Sequence, residues 1–413
     1  MTMQTIQRGE ELRGGAQRFA RKPGLMARLI APGFEKILDK IDGALISGTI
    51  HGILPDGTRR KLGGRAPGFE CTVELRSWNA LVRLASNGSV GWYQAWEAGE
   101  WRSPDPVPLF ALFMQHAARL GDTARAKGPF RYALKLAHLF NRNTHEGARK
   151  NISAHYDLGN DFYEAWLDPT MSYSSALEVG ADGIEAAQRR KWDELASRIG
   201  EGKSVLEIGC GWGALAGDLA RRGAEVTAIS LSEEQLAWAR EHHSGVDFRK
   251  QDYRDTQGPF DAIVSVEMVE ALGREYWPTF MDCIARNLKA GGHAVIQYIS
   301  MREDLFDDYA SSADFIQAYV FPGGLLIRTS EFRRLAEERG LTWKDQRNFG
   351  ADYAETLLDW RRKFDAAERE GRLPAGFDRQ FCDLWRYYLM YCEGGFRGGG
   401  IDVHQVTLVK QGD

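Results

Sequence analysis

The chain predicts an α/β fold: a doubly wound, Rossmann-like parallel sheet with helical additions, preceded by a smaller α+β domain. Three observations predict it. An apolar stretch, Val205-Leu-Glu-Ile208, runs into glycines at 209, 211 and 213 and then into a helical pattern. Apolar strand-like runs and helical runs alternate from there to about residue 300, as parallel strands joined by crossover helices require. Residues 35–118 are instead cut by closely spaced turn signals, Pro55-Asp-Gly57, Gly63-Gly64 and Asn87-Gly88, as in a small sheet domain.

The glycine turn leads because a backbone without Cβ turns tightly and can lie against a nucleotide-like ligand. A strand-to-helix turn in any α/β protein shares that local pattern, so the flanking chain decides. Residues 214–222 read as a helix ended by Gly223, and 224–231 as a second buried strand. Ser232, with Gln235 three residues on, has the capping-box pattern and opens a helix over 233–243. A third strand ends near Gln251-Asp252-Tyr253, and a fourth, 260–266, leads into Glu267-Met-Val-Glu-Ala-Leu-Gly273. A helix over 277–288 is stopped by Gly291-Gly292, and 293–300 form a fifth strand. Helical, aromatic-rich runs at 353–364 and 377–391 follow, and strands near 341–346 and 401–410 complete the sheet as an antiparallel pair. Ligands of such sheets sit at the carboxyl ends of the strands.

Ahead of this, strands are expected at 44–53, 70–75 and 79–85. Residues 88–101 hold Trp92, Trp96 and Trp101, which suit a core, with a lipid-holding surface as the other use. Residues 119–150 are basic and helical in pattern, then polar, as in a linker. The chain thus divides into an accessory or lipid-docking domain (1–118), a linker (119–150) and a catalytic domain (151–413).

With 413 residues and 43% hydrophobic content the chain can build sizeable cores, and a net charge of -4 gives no reason to expect a nucleic-acid partner. No run approaches membrane-spanning length, and no apolar signal core opens the chain. Cys71, Cys210, Cys283, Cys382 and Cys392 show no paired C-x-x-C spacing. That favours reduced thiols in a cytoplasmic protein over a zinc site or a disulfide framework. Residues 1–30 carry Arg8, Arg13, Arg18, Arg21, Lys22 and Arg28 against Glu10 and Glu11, an excess of four positive charges. Interleaved with Phe19, Leu25, Met26, Leu29 and Ile30, this segment suits an anionic lipid surface or, equally, a solvated tail before a docking helix.

A dinucleotide fold would place an acidic residue at the end of the second strand; Ser230-Leu231 stand there, which disfavours a nicotinamide dehydrogenase. The segment resembles the S-adenosylmethionine site of class I methyltransferases. In that resemblance Gly209, Gly211 and Gly213 line the methionine and ribose part, Ser230, Leu231 and Gln235 the ribose and adenine edge, and Gln251 and Asp252 the adenine.

From residue 151 the likeness is more specific. Asn151-Ile-Ser-Ala-His-Tyr-Asp-Leu-Gly-Asn-Asp-Phe-Tyr163, Leu167-Asp-Pro-Thr-Met-Ser-Tyr-Ser-Ser175, Phe315-Ile-Gln-Ala-Tyr-Val-Phe-Pro-Gly-Gly324, Asn348-Phe-Gly-Ala-Asp-Tyr353 and Tyr391-Cys-Glu-Gly-Gly-Phe-Arg397 resemble the cyclopropane-fatty-acyl-phospholipid synthase family. The resemblance implies attack by the double bond of an unsaturated acyl chain of membrane phospholipid on the sulfonium methyl, in a dry tunnel at the inner, anionic face of the membrane. It leaves a homo-oligomer open. The base of the family is a bicarbonate ion held by a glutamate, a histidine, a tyrosine and backbone near a Tyr-Ser-Cys turn. By position the glutamate is Glu270, the tyrosine Tyr353, the backbone contact Ile299 and the carboxy-terminal cysteine Cys392, while Tyr173 and Ser174 fall beside the cofactor.

The departures are Gln297 for the histidine, Ser175 for the cysteine of the turn, and Glu270-Ala271 for a Glu-His pair. Glutamine cannot become cationic or relay a proton near neutral pH. Either bicarbonate is kept on weaker contacts, or Glu270 or Tyr353 takes the proton directly. A moved base favours a methyl-branched alkene or exocyclic methylene over ring closure, with the cyclopropane as the alternative. A small-amine methyltransferase and a noncatalytic lipid carrier are the readings from other classes.

Overall fold

A computed structural model describes residues 8, 9, 12, 31–121, 158–201, 203–311 and 314–412. The basic amino-terminal run, most of the linker stretch and residues 151–157 lie outside them. The chain forms two compact units. The first takes the described residues up to 121 together with 304–322 and 376–401; the second takes the remainder up to 303, then 323–375 and 402–412.

In the first unit, among the described residues, four strands lie in the order β2-β1-β3-β4: β1 (Thr49–Ile53), β2 (Arg59–Gly63), β3 (Glu70–Leu75) and β4 (Trp101–Arg102). β1 and β2 form a hairpin over the Pro55-Asp-Gly57 turn, and β3 runs parallel to β1. Residues 44–48 are not strand: the helix Ala31–Ala44 ends on the first of them, and a bend over 46–48 leads to β1, which starts at Thr49. Residues 79–85, expected as a strand, open the helix Asn79–Glu97. Within 79–85 the buried positions are Ala80, Leu81 and Leu84, a spacing that belongs to the 3.6-residue period and outweighs the short alternating pattern. The Asn87-Gly88 signal appears as a kink within that helix, with Gly88 at φ 58°.

Trp92, Tyr93 and Trp101 of this stretch are core, while Trp96 is half-buried. Trp92 stacks on Trp101 at 4.4 Å, and the Trp101 indole donates to the Trp92 carbonyl at 2.9 Å. Tyr93 lies within 5.0 Å of the rings of Phe315, Tyr319 and Tyr387, so the unit is closed by residues from three distant parts of the chain.

The second unit holds a seven-stranded sheet, among the described residues, in the order β10-β11-β9-β8-β5-β6-β7. The strands are β5 (Ser204–Ile208), β6 (Glu225–Ser230), β7 (Val246–Lys250), β8 (Phe260–Val266), β9 (Leu288–Met301), β10 (Leu341–Asn348) and β11 (Ile401–Lys410). β5 to β9 are mutually parallel where they pair, and β10 runs antiparallel to β11. Val205, Leu206, Ala262, Ile263, Val264, Val295 and Ile296 are fully enclosed, as helices on both faces of a parallel sheet demand. Gly291-Gly292 lie inside β9 instead of ending a helix, because the preceding helix already stops at Asn287. Strand order reverses between β5 and β8, so their carboxyl ends frame the crevice where such a sheet binds its ligand.

Candidate active site

The crevice starts at the β5 turn. Gly209, Gly211 and Gly213 have φ of 82°, 53° and 80°, the left-handed region where a Cβ is disfavoured. Their surroundings differ. A Cβ on Gly209 would meet Met268 at 2.7 Å and one on Gly213 would meet Phe248 at 2.7 Å, whereas a Cβ on Gly211 would meet nothing within 4 Å. The turn is thus packed from behind at two glycines and open at the middle one, a cradle suited to S-adenosylmethionine.

β6 delivers Ser230 and Leu231. The Ser232 hydroxyl accepts from the Gln235 amide nitrogen at 3.3 Å, so the helix Glu233–His242 is capped as expected. The Gln235 side chain, instead of closing the box, lies 3.5 Å from the Ser230 hydroxyl. After β7, the Asp252 carboxylate accepts from the Arg254 backbone at 3.0 Å and its guanidinium at 2.6 Å, and Gln251 donates to Thr256 at 3.3 Å. These contacts stiffen the turn that the adenine assignment uses.

At the β8 end stands a carboxylate that the sequence reading passed over. Glu267 follows directly on β8, its backbone N–H donating to the Gln297 carbonyl at 2.9 Å. Its own φ is 49°, a strained value for a residue with a side chain, costing on the order of 1–3 kcal/mol. Three of the expected site residues converge on it. Ser175 N–H donates to Oε1 at 2.9 Å, the Gln297 amide donates to Oε1 at 2.7 Å, and the Tyr353 hydroxyl donates to Oε2 at 2.6 Å. Gln297 is itself held by Gln405, whose Nε2 donates to Gln297 Oε1 at 3.0 Å.

Glu270 sits one turn further on and is wired differently. It accepts from the Ile299 backbone N–H, while its Oε2 is buried with no hydrogen-bond partner. Burial, and then the neighbouring Glu267 charge, push its carboxyl up to about 8. Burial also raises Glu267, but the Tyr353 hydrogen bond, the Lys191 charge and the Gln297 and Ser175 hydrogen bonds oppose that rise. Of the two carboxylates, Glu267 is the one built to carry the charge.

Lys191, on the helix Ile184–Ile199, is 2% exposed. Its ammonium donates to the Ser174 hydroxyl at 2.6 Å, and Gln188, one turn earlier, donates to the Ser174 carbonyl at 2.9 Å. Burial lowers Lys191 to about 8, against the pull of Glu267, Asp168 and Glu207. Glu207 is the acidic residue of β5; desolvation raises it to about 8, and its Oε2 is buried with no partner. Lys191 was legible as a lone cation among Ile184, Ala187, Gln188, Leu195 and Ile199 on the buried face of one helix. Glu267 was legible as the first residue after a buried strand.

Tyr173 packs its ring on Trp360 at 5.2 Å, Tyr163 at 5.6 Å and Trp166 at 5.8 Å, an apolar wall in the same unit. Cys392 lies in the first unit, half-buried near Asp314, and is not among the groups that meet Glu267. Among the described residues no cluster of three or more acidic, histidine or cysteine side chains could hold a metal, and all five cysteines are unbridged.

The strand order, the glycine cradle and the acidic cluster across the crevice define a class I, S-adenosylmethionine-dependent methyltransferase. The family described as "Mycolic acid cyclopropane synthetase" matches residues 143–406, and the chain belongs to it. It is 35% identical over 351 residues to the tuberculostearic acid methyltransferase UfaA1 of Mycobacterium tuberculosis, a match covering 80% of this chain and 81% of that one. It is 33% identical over 357 residues to the cyclopropane-fatty-acyl-phospholipid synthase of Escherichia coli, covering 84% and 90%. Among solved structures, the mycolic acid cyclopropane synthase CmaA1 complexed with SAH and CTAB superposes with a TM-score of 0.58 at 27% identity, over 63% of this chain and 98% of that one.

Proposed function

We propose that the protein transfers the methyl group of S-adenosylmethionine to the double bond of an unsaturated fatty acyl chain of a membrane phospholipid, and that the product keeps its unsaturation as a methyl-branched or methylene chain. The observation that carries this reading is the convergence of Ser175, Gln297 and Tyr353 on Glu267. In the family pattern such donors hold a bicarbonate ion; here the chain's own carboxylate uses them. A second anion does not fit that donor set, and no step is assigned to bicarbonate.

S-Adenosylmethionine, when bound, supplies an electrophilic sulfonium methyl. The alkene is a poor nucleophile, so the protein must align it and keep water from the cation left on the chain. The rings of Tyr163, Trp166, Tyr173 and Trp360 supply a dry surface for that. Glu267 is the base: a C–H bond beside the cation breaks, its electrons close the new double bond and the proton goes to the carboxylate, giving the methyl-branched alkene, whereas the methylene product first requires a 1,2-hydride shift that moves the cation to the methyl-bearing carbon. Tyr353, Gln297 and Ser175 hold that carboxylate ionised and aimed until then. Glu270, raised to about 8 by burial and by the Glu267 charge, stays protonated near neutral pH and orders the β9 backbone at Ile299.

The substrate places the enzyme at a membrane surface, and the basic excess in residues 1–30 suits an anionic inner leaflet. On that substrate and that basic run we assign a peripheral, cytoplasmic location; among the described residues no helix is long and apolar enough to cross a membrane. The test is the product made from S-adenosylmethionine and vesicles of unsaturated phospholipid. Proton NMR should show vinylic or methylene signals, and the rate should not respond to added bicarbonate. Upfield ring protons alone, formed at a rate rising steeply with bicarbonate, would overturn the reading in favour of a cyclopropane synthase.

A further inference from the structure

We infer that Gln405, on the carboxy-terminal strand β11, is a positioning residue for the reaction: by donating to Gln297 Oε1 it fixes the Gln297 amide with its NH2 group toward Glu267. The inference rests on Glu267 as the base. A glutamine amide has two nearly isosteric ends, one that donates and one that accepts. Only the orientation with Nε2 toward Glu267 supports a carboxylate; the flipped amide would set two oxygens against each other. Gln297 is wholly buried, so the choice is made by protein groups. At its inner end Nε2 lies 2.7 Å from Glu267 Oε1 and 3.5 Å from the Ser175 carbonyl, both acceptors. At its outer end Oε1 takes the Gln405 Nε2–H at 3.0 Å. Gln405 is equally buried, and the contact spans 108 residues of sequence.

The charged and titratable groups facing Glu267 are Lys191, Tyr353 and Glu270. Those flanking Gln405 on β11 are His404, which pairs with Ser300 at 2.6 Å and Asn348 at 2.8 Å, and Asp402, which accepts from Gly350 at 2.8 Å. None of these substitutes for the Gln405 donor.

The experiment measures kcat and kcat/KM against pH for wild type, Q405L, Q405E and E267Q, with S-adenosylmethionine affinity by calorimetry. Q405L keeps the shape and removes the donor. Its kcat should fall roughly tenfold and its acid limb move up by about one pH unit, with cofactor affinity unchanged. Q405E introduces a carboxyl that can donate to Gln297 only when protonated, so activity should fall as pH rises through that group's titration, an alkaline limb absent from wild type. Profiles of both variants lying on the wild-type curve, or one uniform loss at every pH, would overturn the inference. Should Q405L fail to fold, the near-isosteric Q405E decides alone. If E267Q retains wild-type turnover, the base assignment has failed; if E267Q is inactive while the Gln405 variants behave as wild type, only the positioning role has.

Discussion

The Tyr353 hydroxyl donates to Glu267 Oε2 at 2.6 Å across 86 residues of sequence. This bond joins the helix Gly350–Arg369 to the carboxyl end of β8 and separates the two neighbouring glutamates by function. Glu267 holds three donors and Glu270 one backbone N–H.

Glu267→Gln should therefore lower kcat by roughly 10²–10⁴-fold, the usual scale for loss of a general base, with S-adenosylmethionine affinity unchanged by calorimetry. Glu270→Gln should lose less than about tenfold, because an amide oxygen still accepts from Ile299 and the group it replaces is already neutral. Equal losses in the two variants would count against the division of roles.

Gly211→Val should abolish cofactor binding while the fold survives, since its side chain enters open space and the backbone strain is on the order of 1–3 kcal/mol. Gly213→Ala should do the reverse, because its methyl collides with Phe248 and Ala239. Thermal melting with and without S-adenosylmethionine separates them: the first variant loses the ligand-induced rise, the second lowers the melting temperature itself.

Lys191→Met should move the acid limb of the kcat/KM profile to higher pH, because the lysine charge lowers the Glu267 carboxyl and its removal leaves burial less opposed. A purely structural role for Lys191 would reduce the rate without moving that limb. Ser174→Ala, which removes only the hydroxyl that Lys191 grips, should shift it less.

Stability should decline between about pH 5 and 8. Burial raises the Glu207 carboxyl from its ordinary value of 4.5 to about 8 in the folded state. Across that window the native chain keeps a proton that the unfolded chain releases, so stability present below 4.5 is lost as pH approaches 8. Glu270 acts in the same direction, while Lys191, lowered from 10.5 to about 8, acts only above the window. Glu207→Gln should flatten part of the decline in melting temperature; an unchanged slope would show that Glu207 is not the titrating group.

If the basic amino-terminal run docks on anionic lipid, rates on anionic vesicles should fall with added salt through screening, and deletion of residues 1–30 should produce a similar loss. Equal rates on neutral and anionic vesicles would argue for a solvated tail.

In the parallel sheet β5, β6 and β8 were readable as short apolar runs, β5 leading into the glycine turn and β6 into a capped helix, whereas β7, with Asp247, Arg249 and Lys250 among its five residues, was marked only by the turn at its end. Residues 79–85 were not, since seven residues satisfy the strand and helix periods almost equally and only the buried set of Ala80, Leu81 and Leu84 separates them. At the site, Ser175, Gln297 and Tyr353 were read one by one, but their common partner was not. Glu267 and Glu270 are three residues apart after the same strand, and nothing local says which of them gathers the hydrogen-bond donors. That is decided by the left-handed backbone at Glu267 and by donors 92, 30 and 86 residues away.

Tyr93 is enclosed by rings from residues 315, 319 and 387, and this orders events during synthesis. When residue 121 has been made, the four-stranded sheet and its helices exist in sequence, yet the aromatic side chains that cover Tyr93 do not. At a translation rate of about 5–20 residues per second, the missing segments follow only after tens of seconds. Through that interval the amino-terminal part must wait with an apolar face uncovered, available to chaperones or to another nascent chain. Messages truncated between these points would yield sticky fragments instead of a shorter working protein.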